Sequence, residues 1–368
     1  MNKINYKSVP IKRIGKVVTG KTPATAHKEF YDGQYMFISP TELHGGYFVK
    51  KSEKTLTEAG LKSVKSNSID GTSILVGCIG WDMGNVAMCN EKCATNQQIN
   101  SITEIKEEYN PYYVYYWLCG KKEYLFSIAS VTRTPILSKS VFEEVLVPLP
   151  EKKQQDNVVN ILLRIDKKIA LNEQINDNLA AMAYDIYMHT FFSKKPNAKL
   201  KDILTEAEKS SIQVGEAKIS NGKYPFFTSG STILKWNEPF VDGRNCFLNT
   251  GGNADVKFYV GKAAYSTDTW SVSAKSEMSD YLYLMLFSIK PELDQKFFQG
   301  TGLKHLQKPL LKDRPIYVPE KMELEAFNRQ VMPMFDIISE NTRENQQLTS
   351  LRDWLLPMLM NGQATISD

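Results

Sequence analysis

From Val158 onward, apolar residues return at alternating steps of four and three: Val158, Leu162, Ile165 and Ile169, then Leu179, Ala183 and Ile186, with Asn172 and Asn176 in phase between them. A seven-residue period of this kind predicts one seam of a long helix that packs against another helix. The period recurs 169 residues later at Phe327, Val331, Met334, Ile338, Asn341, Asn345, Leu348, Arg352 and Leu355. Two arms are therefore expected, from about Glu151 to Phe192 and from about Glu320 to Leu356, each opening just after a proline that closes a strand. Some 40 residues of helix make a rod of about 60 Å, longer than a small domain is wide. This favours arms that pair with each other over two amphipathic helices lying on separate cores.

The arms belong to a larger repeat. SVTRTPILSKSVFEEVLVPLPE, ending at Glu151, lies over QGTGLKHLQKPLLKDRPIYVPE, ending at Glu320, so Leu137 falls on Leu306, Val147 on Ile316 and Pro150 on Pro319. Farther upstream the offset becomes 172, with Asp70 over Asp242 and Gly71 over Gly243, and then 189, with Gly33 over Gly222 and Tyr35 over Tyr224. The first copy thus carries 17 more residues, in a loop with Lys50, Lys51 and Lys54. Each copy reads as a mixed module of short strands, glycine turns and one or two helices, closed by a strand at VFEEVLVPLP or LKDRPIYVP. The expected organisation is module one (1–150), arm one (151–192), module two (193–319) and arm two with a tail (320–368). Arm one leads into module two and arm two leaves it, so the predicted fold is α+β: two mixed α/β modules and an antiparallel two-helix coiled coil with a pseudo-two-fold internal repeat. Asn172, Asn176, Asn341 and Asn345 either set the stagger of the seam or lie at its edge in water.

One short stretch tests an enzymatic reading. NPYYVYYWL, starting at Asn110, begins like the Asn-Pro-Pro-Tyr loop of adenine methyltransferases, in which the Asn binds the exocyclic amine of a flipped base. The repeat places Ser279 over Asn110, and Asn and Ser are interchangeable as helix caps but not in that chemistry. The second Pro of the loop is absent, and no Gly-rich cofactor loop follows a strand. Asn110 is expected to cap a helix with Pro111 in its first position.

Charge and composition refine the picture. Arm one sums to −1 and arm two to −3 in a chain of +4, so the modules and tail carry +8, which suits a polyanion bound at the modules. Five cysteines without a CxxC pair and four scattered histidines give metal binding little support; Cys89 and Cys93 read as ordinary small residues. The N-terminal stretch lacks an apolar core of signal-peptide length, and no apolar run approaches the ~20 residues of a bilayer span, so a cytoplasmic protein without membrane contact is expected.

VPLPEKKQQDNVVNILLRIDKKIALNEQINDNL, its echo at 316–348 and the ending LRDWLLPMLMNGQ resemble the conserved regions of type I restriction-modification specificity subunits, over essentially the whole chain. The second arm departs from the usual PLPEQ start, reading YVPEKMELEAF. The resemblance implies a non-enzymatic reader of double-stranded DNA. Each module would be a target recognition domain for one half of a bipartite site, and the arms would dock two methyltransferase subunits, with two restriction or motor subunits completing the complex. S-adenosylmethionine, ATP and Mg would sit on those partners and no cofactor on this chain. Gln154, Gln155, Asn178, Gln346 and Gln347 are candidate docking positions on the arms. Candidate DNA contacts are polar and basic residues on glycine-rich or strand-end loops: Lys21, Ser39, Asn96, Gln97 and Arg133 in module one, and Ser229, Arg244, Asn253, Asp268 and Lys304 in module two. The rival readings are a stand-alone bipartite DNA-binding regulator and a methyltransferase fused to its own reader.

Overall fold

The computed structural model describes residues 5–44, 46–131 and 133–363. Thr132, aligned with Thr301 in the repeat, lies outside the described residues. The described chain divides into two compact units, one built from the stretches up to residue 167 and from 348 onward, the other from residues 168–347. Both boundaries cut through the arms, so the arms are not units of their own.

In the first unit a four-stranded antiparallel sheet runs in the order Lys16–Thr19, Ile99–Thr103, Ser73–Gly77, Val86–Cys89. Its inner strands SILVG and INSIT are buried at every residue, as expected for strands covered on both faces. A second sheet runs Lys54–Leu56, Tyr31–Ile38, Cys93–Thr95, Ser68–Ile69. A small hairpin (Ser130–Val131 with Pro135–Ile136) and a closing pair (Lys7–Pro10 with Leu146–Leu149) complete the strands.

The second unit repeats this order, except that the fourth strand of its second sheet is reduced to a single bridge between Val241 and Ala263. Its antiparallel sheet runs Leu204–Glu206, Thr269–Ala274, Arg244–Asn249, Val256–Val260, and its second sheet Leu234–Trp236, Tyr224–Phe227, Ala264–Tyr265. The hairpin is Phe298–Gln299 with His305–Leu306, and the closing pair is Ala198–Lys199 with Pro315–Ile316. The 17 extra residues of the first copy are split around one strand. Tyr35 pairs with Leu56 where Tyr224 pairs with Trp236, an offset of 180, so nine of them precede that strand and eight follow it.

The VFEE stretch, expected as strand, is instead the end of a short helix, Lys139–Glu143. Ser138 caps it by accepting from the Val141 amide, and Phe142 is fully buried, so the closing strand begins only at Leu146. Asn110 caps the helix Pro111–Cys119, its side-chain oxygen accepting from the Tyr112 and Tyr113 amides at 2.9 and 3.4 Å. Tyr113, Val114 and Leu118 of that helix lie wholly in the core.

Arm one spans Lys152–Thr190 and arm two Lys321–Met360. Arm two continues past the expected end at Leu356, through Pro357, because Leu359 and Met360 are buried in the first unit's core. Val159 and Leu162 of arm one join the same core, beside Tyr113 and Trp117. In the second unit Ala183, Tyr187 and Phe191 of arm one and Phe327, Val331 and Phe335 of arm two pack around Tyr281, Leu282 and Met285. The two readings of the arms therefore hold on different stretches: their ends lie on module cores, and between them the arms pair.

The pairing is carried by the four asparagines. The Asn172 amide donates to Asn345 Oδ1 at 2.8 Å and to Glu344 Oε2 at 2.6 Å, and Asn341 donates to Asn176 Oδ1 at 2.8 Å. Position rises on one arm as it falls on the other, which makes the helices antiparallel. Asn172 is 1% exposed, so it does not lie at a wet edge. Gln155, expected as an exposed docking residue, is buried: it accepts from the Asn110 amide and donates to the Pro150 carbonyl, tying the start of arm one to its module. Gln154 is half-buried, while Asn178 and Gln347 are exposed.

Candidate nucleic-acid interface

The strand order of the second unit gathers four loops at one end of its antiparallel sheet. Ser229 and Gly230 follow one strand, Thr250 to Asn253 follow another, Asp268 precedes a third, and Leu303 to His305 turn the small hairpin. Together with Asn249, all of these except Lys304 line a cavity of about 510 Å³. Three of the nominated contacts, Ser229, Asn253 and Asp268, meet there.

Main-chain bonds hold the loops. Thr250 N donates to Asp268 O at 3.0 Å, Leu306 N to Thr250 O at 3.0 Å, and Gly252 N to Lys304 O at 3.0 Å. Gly252 has φ +78, a conformation that favours glycine. Asn249, 5% exposed, donates from one side-chain amide to the carbonyls of Ser229 and Asn253, at 2.9 and 3.2 Å, and so fastens two lining loops together. Lys257 supports the same wall, its ammonium donating to Thr228 O at 2.7 Å; burial pulls its pKa below the usual amine range, and Asp255 opposes that. The rim mixes acceptors and donors, the kind of lining that reads base edges rather than one that merely attracts phosphate.

Lys304 stands beside this cavity with its ammonium 3.1 Å from Asp294. The Ala254 amide first and Lys304 second hold that carboxyl below the usual range. Arg244 belongs elsewhere. It opens the strand that Asn249 ends, five residues and about 17 Å from the cavity. There it bonds buried Asp280 at 2.6 Å, Asp336 of arm two, and the Met332 carbonyl at 3.3 Å. A guanidinium neutralised by two carboxylates is an anchor for the arm, so Arg244 is reassigned from DNA contact to structural tie.

The first unit presents the matching loops at the matching sheet end. Thr22, next to Lys21, donates to Gln97 Oε1 at 2.8 Å, and the Asn96 amide donates to Ile38 O at 3.0 Å, beside Ser39. Lys21, Gln97 and Arg133 are exposed, and Asn96 and Ser39 half-buried. The Ser39 hydroxyl is engaged, donating to Glu42 Oε2 at 2.6 Å. Burial pushes the Glu42 carboxyl up, but hydrogen bonds from the Ser39 hydroxyl and the Glu53 and Ser39 amides outweigh it and leave it below the usual range. Arg133 sits at the tip of the small hairpin, which touches the 78–85 loop through Gly80 N to Pro135 O at 3.0 Å and Leu137 N to Cys78 O at 2.9 Å. These two bonds copy Gly252 N to Lys304 O and Leu306 N to Thr250 O in the second unit. Sequence reading missed Asn249 and His305 there, although both follow from their place on the loops already singled out.

Among the described residues no group of three or more His, Cys, Asp and Glu is placed to hold a metal ion, and no helix is long and apolar enough to cross a membrane.

Comparison with known proteins gives a consistent result. A family model for the type I restriction modification DNA specificity domain matches twice, at residues 3–181 and 194–350. The MjaIX type I restriction enzyme specificity subunit of Methanocaldococcus jannaschii is 23% identical over 97% of this chain and 93% of its own length. The HindI specificity subunit of Haemophilus influenzae is 32% identical over 38% of this chain and 31% of its own. The crystal structure of the type I restriction-modification S subunit from M. genitalium superposes with a TM-score of 0.62 at 16% identity, covering all of this chain and 98% of the other, which establishes the shared fold.

Proposed function

The chain belongs to the family of type I restriction-modification DNA specificity subunits, and from that premise we propose that each unit reads one half of a bipartite DNA target with the loop end just described. The reading rests above all on the duplicated set of loops. Two copies of one fold place corresponding polar loops at corresponding sheet ends, held by corresponding main-chain bonds, while their side chains differ. A reader of two unlike half-sites needs a common frame with variable tips. We read the chain as acting without chemistry of its own, a reading that the capping role of Asn110 supports against the methyltransferase alternative. Methylation with S-adenosylmethionine, and cleavage with ATP and Mg, fall to two methyltransferase and two restriction subunits, and the arms offer those partners a docking face. Asn178 and Gln347 remain candidates for it.

The test is a module exchange in the assembled complex. Replacing residues 1–150 by the corresponding module of another family member should change one half of the methylated motif, mapped by single-molecule sequencing, and leave the other half intact. Loss of both halves together would refute independent reading.

A further inference from the structure

We propose that Trp81 is the apolar base contact of the first unit, set on the loop position from which the second unit presents Asn253; this rests on the DNA-reading function above. The equivalence comes from the backbone. In both units a glycine of positive φ, Gly80 at +101 and Gly252 at +78, donates its amide to the small hairpin, and the next residue is Trp81 or Asn253. The loop is two residues longer in the first unit, with nine residues between paired Val76 and Val86 against seven between Leu248 and Val256.

Trp81 is 71% exposed, yet its loop is fixed on every side. Gly84 N donates to Gly77 O at 2.8 Å, Ile79 bridges Ile136, and Met83 is buried. The adjacent Asp82 is held by Lys122 at 2.7 Å and His44 at 2.9 Å, while Asn85 donates to the Asp82 carbonyl at 3.0 Å. The Lys122 bond first, with Asn85 and His44 behind it, keeps the Asp82 carboxyl below its usual range against burial. Folding gains nothing from leaving an indole in water on a rigid turn. The Phe126 ring, 6.0 Å away and tilted, covers little of it. A pre-set aromatic on the loop whose Gly80 amide bonds the hairpin that carries exposed Arg133 suits a nucleic acid: the cation meets phosphate, and the indole stacks on a base or wedges at a base step. The two heads would then read differently, one by apolar contact and one by hydrogen bonds.

The experiment uses the chain co-purified with its methyltransferase and a short fluorescein-labelled duplex carrying the motif that the wild-type complex methylates. W81A should weaken binding about tenfold, W81F should bind within about threefold of wild type, and W81A should relax base preference only in the half-site altered by exchanging residues 1–150. N253A should relax the other half-site. Unchanged affinity and motif in W81A would overturn the proposal while wild-type binding upholds the DNA-reading function. A wild-type complex that binds no duplex would overturn both. If W81A no longer co-purifies with the methyltransferase, the indole is a protein contact and the proposal fails; an unaltered circular dichroism spectrum separates that outcome from misfolding.

Discussion

The two units share a strand order but anchor their stretches of arm with different chemistry at non-equivalent places. In the first, Arg352 of arm two bonds Asp166 of arm one at 2.9 Å, and Tyr116 of the module donates to the same carboxyl at 2.6 Å, with Asp166 only 3% exposed. The corresponding residues of the second unit are Ala183, Phe335 and Met285, all buried and apolar. There the ionic anchor is Arg244 with Asp280 and Asp336, whose counterparts in the first copy are Thr72, Pro111 and Lys167. Duplication therefore preserved what backbone pairing and core volume demand, while each copy settled its buried charges separately. An apolar patch at a helix contact fills the same role as a satisfied ion pair, so neither charge set is required by the fold.

The largest effect should come from breaking the first anchor on one side. R352A leaves a buried carboxylate with one phenol donor and should lower unfolding stability in denaturant titration by about 3–5 kcal/mol. D166L/R352L, which copies the apolar solution, should recover most of it. A double variant as unstable as R352A would mean that the comparison is wrong and the charges are indispensable.

A smaller, pH-dependent loss is expected in the second unit. Burial raises the pKa of Asp280 to about 7, with Arg244 opposing. A folded-state value above the ordinary 3.8 of an aspartate means that this carboxyl favours the folded unit most in acid, and that its contribution is lost as pH rises from about 4 through 7. R244M should cost on the order of 2 kcal/mol at pH 8 and less at pH 6, where Asp280 takes up a proton instead of a partner. D280N should flatten the wild-type slope of melting temperature between those values. Equal losses for R244M at both pH values would show that Asp280 stays ionised throughout.

The smallest change in stability belongs to the stretch where the two copies agree. N172L/N345L should leave the melting temperature unchanged or raise it, since leucine packs better in a seam. Its effect should appear in register: nitroxide labels at exposed Gln174 and Glu340 should give a broader distance distribution than in the parent. An equally sharp distribution would mean that the module contacts alone set the stagger.

What could be read from the chain was what repeats. The 169-residue offset, the heptads, the place of the four asparagines within them and the Asn110 cap all declare themselves locally or by comparison with the other copy. Features that depend on one copy's tertiary contacts were hidden. Arg244 looked like a free loop cation because Asp280 and Asp336 lie 36 and 92 residues away. Gln155 looked exposed because its partner amide belongs to a helix cap 45 residues upstream. Arm two is expected to end near Leu356 because nothing local shows that Leu359 and Met360 sink into the first unit's core. Trp81 carries no local signal, since only burial distinguishes a core indole from a presented one.

The bonds from Gly80 and Gly252 to the hairpins are made entirely by amides and carbonyls, which every residue except proline supplies in full. The side chain that follows each glycine is thus free of any duty in holding its own loop. If Trp81 and Asn253 contact bases as proposed, a single codon change there would retune what is recognised while the turn keeps its shape, so such a molecule would acquire new targets in small inherited steps without first becoming unstable.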